Sequence, residues 1–304
     1  MPFTVYYPDT PPLPLPPGHR FPADKYLRLK HSVLADGILN PSQLIASPLA
    51  TAALVACVHD ADYISAVFEG RLPRDIEARI GLPWSPVLLA RALATVGGTM
   101  AAARDCLTTG FSGQLAGGTH HAHRETGAGF CVFNDCAVAS STLLAEGKIE
   151  RAAILDLDVH HGDGNATILR DEPRVFVVSV HGENNYPFDK PPSDLDIGLP
   201  DRTTDNGYLS ACREALDAAL ATRPDIVFYI AGVDPLASDR LGRLAVTHDG
   251  LIARDRMVML ACRRAGVALT TLIGGGYGEP IEETVDAYAN TWRTARAVYG
   301  PSRF

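Results

Sequence analysis

The sequence predicts an α/β fold built on a largely parallel sheet, and three observations carry that expectation. Short apolar runs at 112–117, 152–158, 174–180, 225–231 and 267–273 have the length and β-branched content of buried strands. The stretches between and after them, around 135–146, 206–222, 248–264 and 280–298, have helical length and periodicity. Each run also ends in a loop bearing glycine, histidine or aspartate. Strands alternating with helices form βαβ units with parallel strands. In such sheets ligands bind beyond the carboxyl ends of the strands, where all of these loops fall.

Ahead of the alternation, Thr4 to Tyr7 predicts a first strand, and the prolines at 11, 12, 14, 16 and 17 predict a surface loop rather than a polyproline ligand. Residues 24–36 predict a helix that the Asn40-Pro41 step terminates. His59, Asp60 and Asp62 could be taken for ligands, but Asp60 or Asp62 serves better as a helix N-cap. Trp84-Ser85-Pro86 offers a cap followed by proline at the first helical position, opening a long apolar helix to about Leu107. Gly97 and Gly98 inside it permit close packing. No linker, repeat or charge run divides the chain, so residues 1–304 are expected to form one domain.

An apolar share of 46% and a charged share of 20% fit a globular protein, and no run of eighteen uninterrupted apolar residues suggests a membrane span. The start MPFTVYYPDT lacks the basic residues and apolar run of a secretory signal, so the expected compartment is the cytoplasm. The cysteines at 57, 106, 131, 136, 212 and 262 contain no CxxC pair and read as buried small hydrophobes. A net charge of −8 argues against a nucleic-acid surface and is compatible with cationic substrates such as lysine side chains or polyamines.

The chemistry concentrates in ILDLDVHHGDGN, 154–165, where Asp156, Asp158 and His160 recur at a spacing of two. On a strand that spacing aims all three to one side. Ionisable groups so placed at the end of a buried segment need a cation or hydrogen-bond partners. Asp158 and His160 are the strongest ligand candidates. A mononuclear catalytic zinc takes three protein ligands and keeps a place for water. Asp234, directly after the apolar run DIVFYIAG, is preferred as the third ligand over Asp239, five residues further on.

GGTHHAHRETGAGFCVFND, 117–135, brings His120 and His121, one suited to polarise a water molecule and the other to hold charge nearby. Asp156 and Asp163 could each orient one of these imidazoles through its Nδ1 proton. His123 shows no such partner and reads as structural. In IGGGYGEP, 273–280, the lysine or serine of a phosphate loop is missing. Glycines such as Gly275 let the backbone approach a narrow substrate, and Tyr277 could donate its hydroxyl to a developing oxyanion.

GGTHHA, GFCVFND, DLDVHHGDG, AGVD and GGGY, in that order, resemble the zinc-dependent histone deacetylase superfamily, which includes acetylpolyamine amidohydrolases and acetoin-utilisation proteins. GHRFP, GLPWS, YPF and SDRLG look most like its class IV branch and bacterial relatives. The resemblance implies an arginase-like fold with about eight mostly parallel strands and helices on both faces. It implies Zn2+ held by Asp158, His160 and Asp234, with His121 as general base and acid beside Asp163, His120 paired with Asp156, and Tyr277 polarising the amide carbonyl. It implies an acyl-lysine tunnel lined by Gly129, Phe130, Tyr186 and Leu241, with Arg20 near its inner end. A monovalent cation, K+ or Na+, is expected at Asp156, Ser179 and the main-chain oxygens of Asp158, His160 and Val180.

The implied reaction is zinc-dependent hydrolysis of N-acylated lysine, in a protein or a small acylated amine. Some family members use an acidic loop residue to bind substrate backbone, and none can be placed around GLPWSP, so peptide, free acyl-lysine and polyamine substrates all stay open. An acetylpolyamine amidohydrolase and an inactive acyl-ligand binder are the alternatives. A two-metal ureohydrolase would need more bridging aspartates than the chain supplies.

Overall fold

In the computed structural model, which describes residues 3–300, eight strands form one sheet. They are β1 (Val5–Tyr7), β2 (Leu44–Ala46), β3 (Phe111–Gln114), β4 (Ala152–Asp156), β5 (Val175–Gly182), β6 (Leu195–Leu199), β7 (Ile226–Ile230) and β8 (Ala268–Leu272). Their order is β2-β1-β3-β8-β7-β4-β5-β6, and every neighbouring pair is parallel. The helices are α1 (Lys25–Ala35), α2 (Ala52–Val55), α3 (Ala61–Glu69), α4 (Arg74–Ile80), α5 (Pro86–Thr109), α6 (Asp135–Ala145), α7 (Asp163–Ile168), α8 (Asp205–Ala221), α9 (His248–Ala265) and α10 (Ile281–Tyr299).

The period-two pattern of the central strands divides the core in two. On β4, Ala153 and Leu155 join a cluster with side chains of α1, α8, α9 and α10, while Ala152 and Ile154 join one with α3, α5 and α6. β7 splits the same way, Val227 and Tyr229 against Phe228 and Ile230. Both faces are covered, which is why these strands read as continuous apolar runs.

The expected elements appear within a few residues of their sequence-derived bounds, and β2, β6, α2, α4 and α7 are additional. At the start of α5 the Ser85 hydroxyl accepts a hydrogen bond from the Leu88 N–H at 3.1 Å, with Pro86 at the first position. Asp60 is the N-cap of α3, but its side chain makes no capping bond. All six cysteines are free, and Cys57 is exposed, which corrects the expectation that all are buried. α5 is the one helix among the described residues long and apolar enough to cross a membrane, and it packs against β3, α6 and β8.

The order of the strands places the chemistry. β3, β8, β7 and β4 are consecutive in the sheet although far apart in sequence, so their carboxyl-terminal loops meet. After β4 the chain winds outward through β5 and β6, then returns inward to β7, leaving a crevice where the direction reverses.

Gly97 sits where α5 crosses the segment at Pro48. A Cβ added there would overlap the Pro48 main-chain oxygen, an atom no rotamer change can move. Alanine gains about 1 kcal/mol of helix propensity over glycine, whereas overpacking a fixed backbone costs about 1–3 kcal/mol. Gly97→Ala is therefore expected to lower the stability measured by denaturant unfolding, by about 1–2 kcal/mol. A stability equal to or above that of the parent would contradict this packing.

Candidate active site

Loops following β3, β4, β7 and β8 supply His120 and His121, Asp158 and His160, Asp234, and Gly275 and Tyr277 respectively. β4 ends at Asp156, so the expected strand geometry does not carry Asp158 and His160 to one side. Bends after Asp156 turn them inward instead. The His160 Nδ1 lies 3.1 Å from Asp158 Oδ1 and 3.0 Å from Asp234 Oδ2, and all three residues are buried.

Two carboxylates and an imidazole converging in this way form a donor set suited to a small dication; tetrahedral zinc holds its ligands about 3.3 Å apart at the usual bond lengths. The remaining carboxylate lone pairs are occupied by backbone: Gly275 N–H donates to Asp158 Oδ2 at 2.6 Å and Val159 N–H to Asp234 Oδ1 at 2.9 Å. A Cβ at Gly275 would collide with the Asp234 carboxylate, so this glycine clears room for the ligand set while it lines the inner cavity. Burial opposes charge on His160, but Asp158 and Asp234 outweigh it and push its pKa up to about 10. Asp239, set aside as a ligand, accepts from the N–H groups of Leu241, Gly242 and Tyr277 and so ties two loops of the site together.

His120 and His121 lie side by side, each bonded through Nδ1 to its own carboxylate: His120 to Asp156 at 2.7 Å, His121 to Asp163 at 2.6 Å. Their environments pull the two apart. Burial disfavours charge on both; on His120 the nearby Asp156 and Asp158 win and raise its pKa to about 9. On His121 burial and the neighbouring His120 charge win over Asp163, lowering it to about 4. His123 is not free of partners as expected: its Nε2 lies 3.1 Å from Asp163 Oδ2 and its Nδ1 2.8 Å from the Thr167 hydroxyl. Burial raises the Asp163 pKa, but His121 and His123 outweigh it and hold the carboxyl below its ordinary range.

An inner cavity of about 70 Å³ and an outer one of about 430 Å³ share Gly129, Phe130, His121, His160 and Tyr277 as walls. Gly129 and Phe130 occupy a tight turn with φ of 52° and 66°, the backbone of a two-residue hairpin turn. The left-handed conformation is unfavourable for phenylalanine, and bonds from Gly129 N–H to Arg79 C=O (3.0 Å) and from Phe130 N–H to Ile80 C=O (2.8 Å) hold it. Tyr186 packs its ring 4.9 Å from that of His121, and with Leu241 lines the outer cavity. Arg20 also lies there, exposed at the mouth rather than at the inner end, because the chain turns inward only at Phe21.

Three supporting residues escaped the sequence reading. Lys25 of α1, buried, donates from Nζ to the Gly276 carbonyl at 3.0 Å and lies 4.8 Å from the Tyr277 ring centre. Tyr288 of α10 donates to the Gly274 and Gly275 carbonyls at 3.0 and 2.7 Å. Asp135, fully buried at the start of α6, accepts from Gly118 N–H, Thr119 N–H and the hydroxyls of Thr119 and Thr99 at 2.6–3.0 Å. It thereby fixes the loop that presents His120. Asp135→Ala strands these buried donors, and loss of such bonds to a charged group is expected to cost about 3 kcal/mol or more in denaturant unfolding. Asp135→Asn should recover part of it, and an alanine variant as stable as the parent would remove Asp135 from this role.

A Histone deacetylase domain matches residues 19–294. The chain is 44% identical to an uncharacterised Picosynechococcus protein over 97% of its own length and 98% of that protein. It is 30% identical to Histone deacetylase 2 of Arabidopsis thaliana, covering 85% of this chain and 70% of that one. The structure of an HDAC homolog complexed with SAHA superposes with a TM-score of 0.82 over 99% of this chain and 85% of that one, at 23% identity. The chain belongs to the histone deacetylase family.

Proposed function

We propose that the chain is a zinc-dependent amidohydrolase that removes acyl groups from lysine side chains, of the class IV type. Family membership supports a deacetylase or amidohydrolase activity. The single observation that carries the finer reading is the pair of adjacent histidines held by separate aspartates beside the triad Asp158, His160 and Asp234.

Asp158, His160 and Asp234 would hold the zinc. When bound, it supplies a Lewis acid that polarises a carbonyl and makes water acidic near neutral pH. With Nδ1 engaged by Asp163, His121 keeps Nε2 for the substrate side, and its lowered pKa leaves it neutral at pH 7 and able to accept a proton from the attacking water. His120, held by Asp156, acts electrostatically beside the reacting centre, where Asp156 and Asp158 favour its charged form against burial. Burial, with Asp158 and Asp234 nearby, raises the Tyr277 pKa well above its ordinary value, so the phenol stays protonated. It donates to the oxyanion that forms from the amide carbonyl. The proton taken by His121 then passes to the departing lysine amine, leaving a carboxylate and a free amine. Gly129, Phe130, Tyr186 and Leu241 enclose the lysine methylenes and exclude water.

We also assign a monovalent cation, K+ or Na+, to the neighbourhood of Asp156 and Ser179. The two are paired in register on β4 and β5 and buried. Among the described residues, the nearby main-chain oxygens of Asp158 and His160 accept no backbone hydrogen bond outside helices and strands.

Tyr277→Phe removes the oxyanion donor and keeps the ring. Turnover of an acyl-lysine peptide by the zinc-loaded protein is expected to fall about 10²-fold or more, mainly in kcat. EDTA should abolish activity and zinc restore it. Full activity in the phenylalanine variant would take Tyr277 out of the mechanism, and hydrolysis that survives complete metal removal would overturn the zinc assignment.

A further inference from the structure

We propose that the mouth of the site selects acyl-lysine set among acidic residues, and disfavours acylated polyamines; this rests on the deacylase reading above. Among the described residues, three arginines line the outer cavity, Arg20, Arg79 and Arg243, and no carboxylate does. Arg243 is engaged by Asp201 at 2.9 Å. Arg20 and Arg79 are exposed, and among the described residues neither has a carboxylate within 4.0 Å.

Both free arginines stand on backbone that builds the tunnel wall. The Arg79 carbonyl accepts from Gly129 N–H at 3.0 Å, and the Arg79 charge is felt at Tyr186, where it lowers the phenol's pKa against the larger, opposite effect of burial. Arg20 directly precedes Phe21, whose ring lies 5.2 Å from that of Phe130, and its carbonyl is 3.5 Å from Arg240 Nη2. Their charges are therefore carried by the same segments that grip the acyl-lysine. Tyr186 and the exposed Phe188 add apolar surface to the same cavity wall.

The net charge of −8 suggests the opposite preference. At physiological ionic strength, however, charges beyond about 8 Å are screened, so the groups at the mouth decide. A lysine deep in the tunnel leaves its chain neighbours at this rim. Aspartate or glutamate there meets Arg20 and Arg79. The distal ammonium of an acetylpolyamine emerges at the same place and is repelled.

The test compares acyl-lysine peptides of one length with acidic, neutral or basic residues on both sides of the lysine, together with an acetylated polyamine. Hydrolysis by the zinc-loaded protein and binding by fluorescence anisotropy are both measured. The acidic peptide is expected to exceed the basic one by about tenfold in kcat/KM, carried by KM, with the gap closing as salt is raised. Arg20→Glu and Arg79→Glu should invert the order, and the glutamine variants should flatten it. Equal use of the peptides, or preference for the basic peptide or the polyamine, would overturn the proposal. If no acylated compound is hydrolysed, the deacylase reading fails, while the order of binding still reads the rim.

Discussion

Two buried carboxylates facing one imidazole are the constraint around which this molecule is arranged. Asp158 and Asp234 are fully buried, and water is not at hand to stabilise them. An uncompensated charge in such a place costs several kcal/mol. The sheet order, which makes β7 and β4 neighbours, brings the two together. The glycine turn after β8 is shaped to tolerate them: Gly275 offers an N–H to Asp158 and lacks the Cβ that would strike Asp234. Lys25 and Tyr288 hold the carbonyls of that turn, which leaves the Gly275 N–H directed at Asp158. A cation at the triad would complete the balance.

The same field separates the two histidines. They share burial and each has an aspartate, yet His120 lies near a second carboxylate, Asp158, while His121 lies near His120 itself. One is pushed towards charge and its neighbour away from it. A dication held by Asp158 would weaken the pull on His120, so the division of labour depends on the metal as well as on the aspartates. Chemically equivalent residues acquire different roles from environments that shift their proton affinities in opposite directions.

Much of this was legible in the sequence because short motifs carry both ligand and partner. HH with its downstream aspartates, DLDVHHGDG and AGVD each name residues that converge. What stayed hidden depends on long-range contact. Lys25 serves Gly276, 251 residues away, and nothing local distinguishes it from a surface lysine. Asp135 looked like part of a motif, but its task of accepting four donors is set by Gly118, Thr119 and Thr99. β2 and β6 are edge strands with half-exposed residues, so they lack the apolar run that marked the central strands. Strand periodicity misplaced the reason Asp158 and His160 converge, because the strand ends before them. Arg20 was placed too deep, since its position depends on where the chain turns inward. Net charge says little about the mouth of the site, because it averages over the whole surface, and the residues lining the outer cavity include three arginines.

The most direct test is anomalous diffraction at the zinc edge from crystals of the purified, active protein. One peak is expected, enclosed by the Oδ atoms of Asp158 and Asp234 and the Nδ1 of His160, and lost when the crystals are treated with chelator. An active, folded protein with no peak there, or with its zinc bound elsewhere, would contradict the central role given to these three residues.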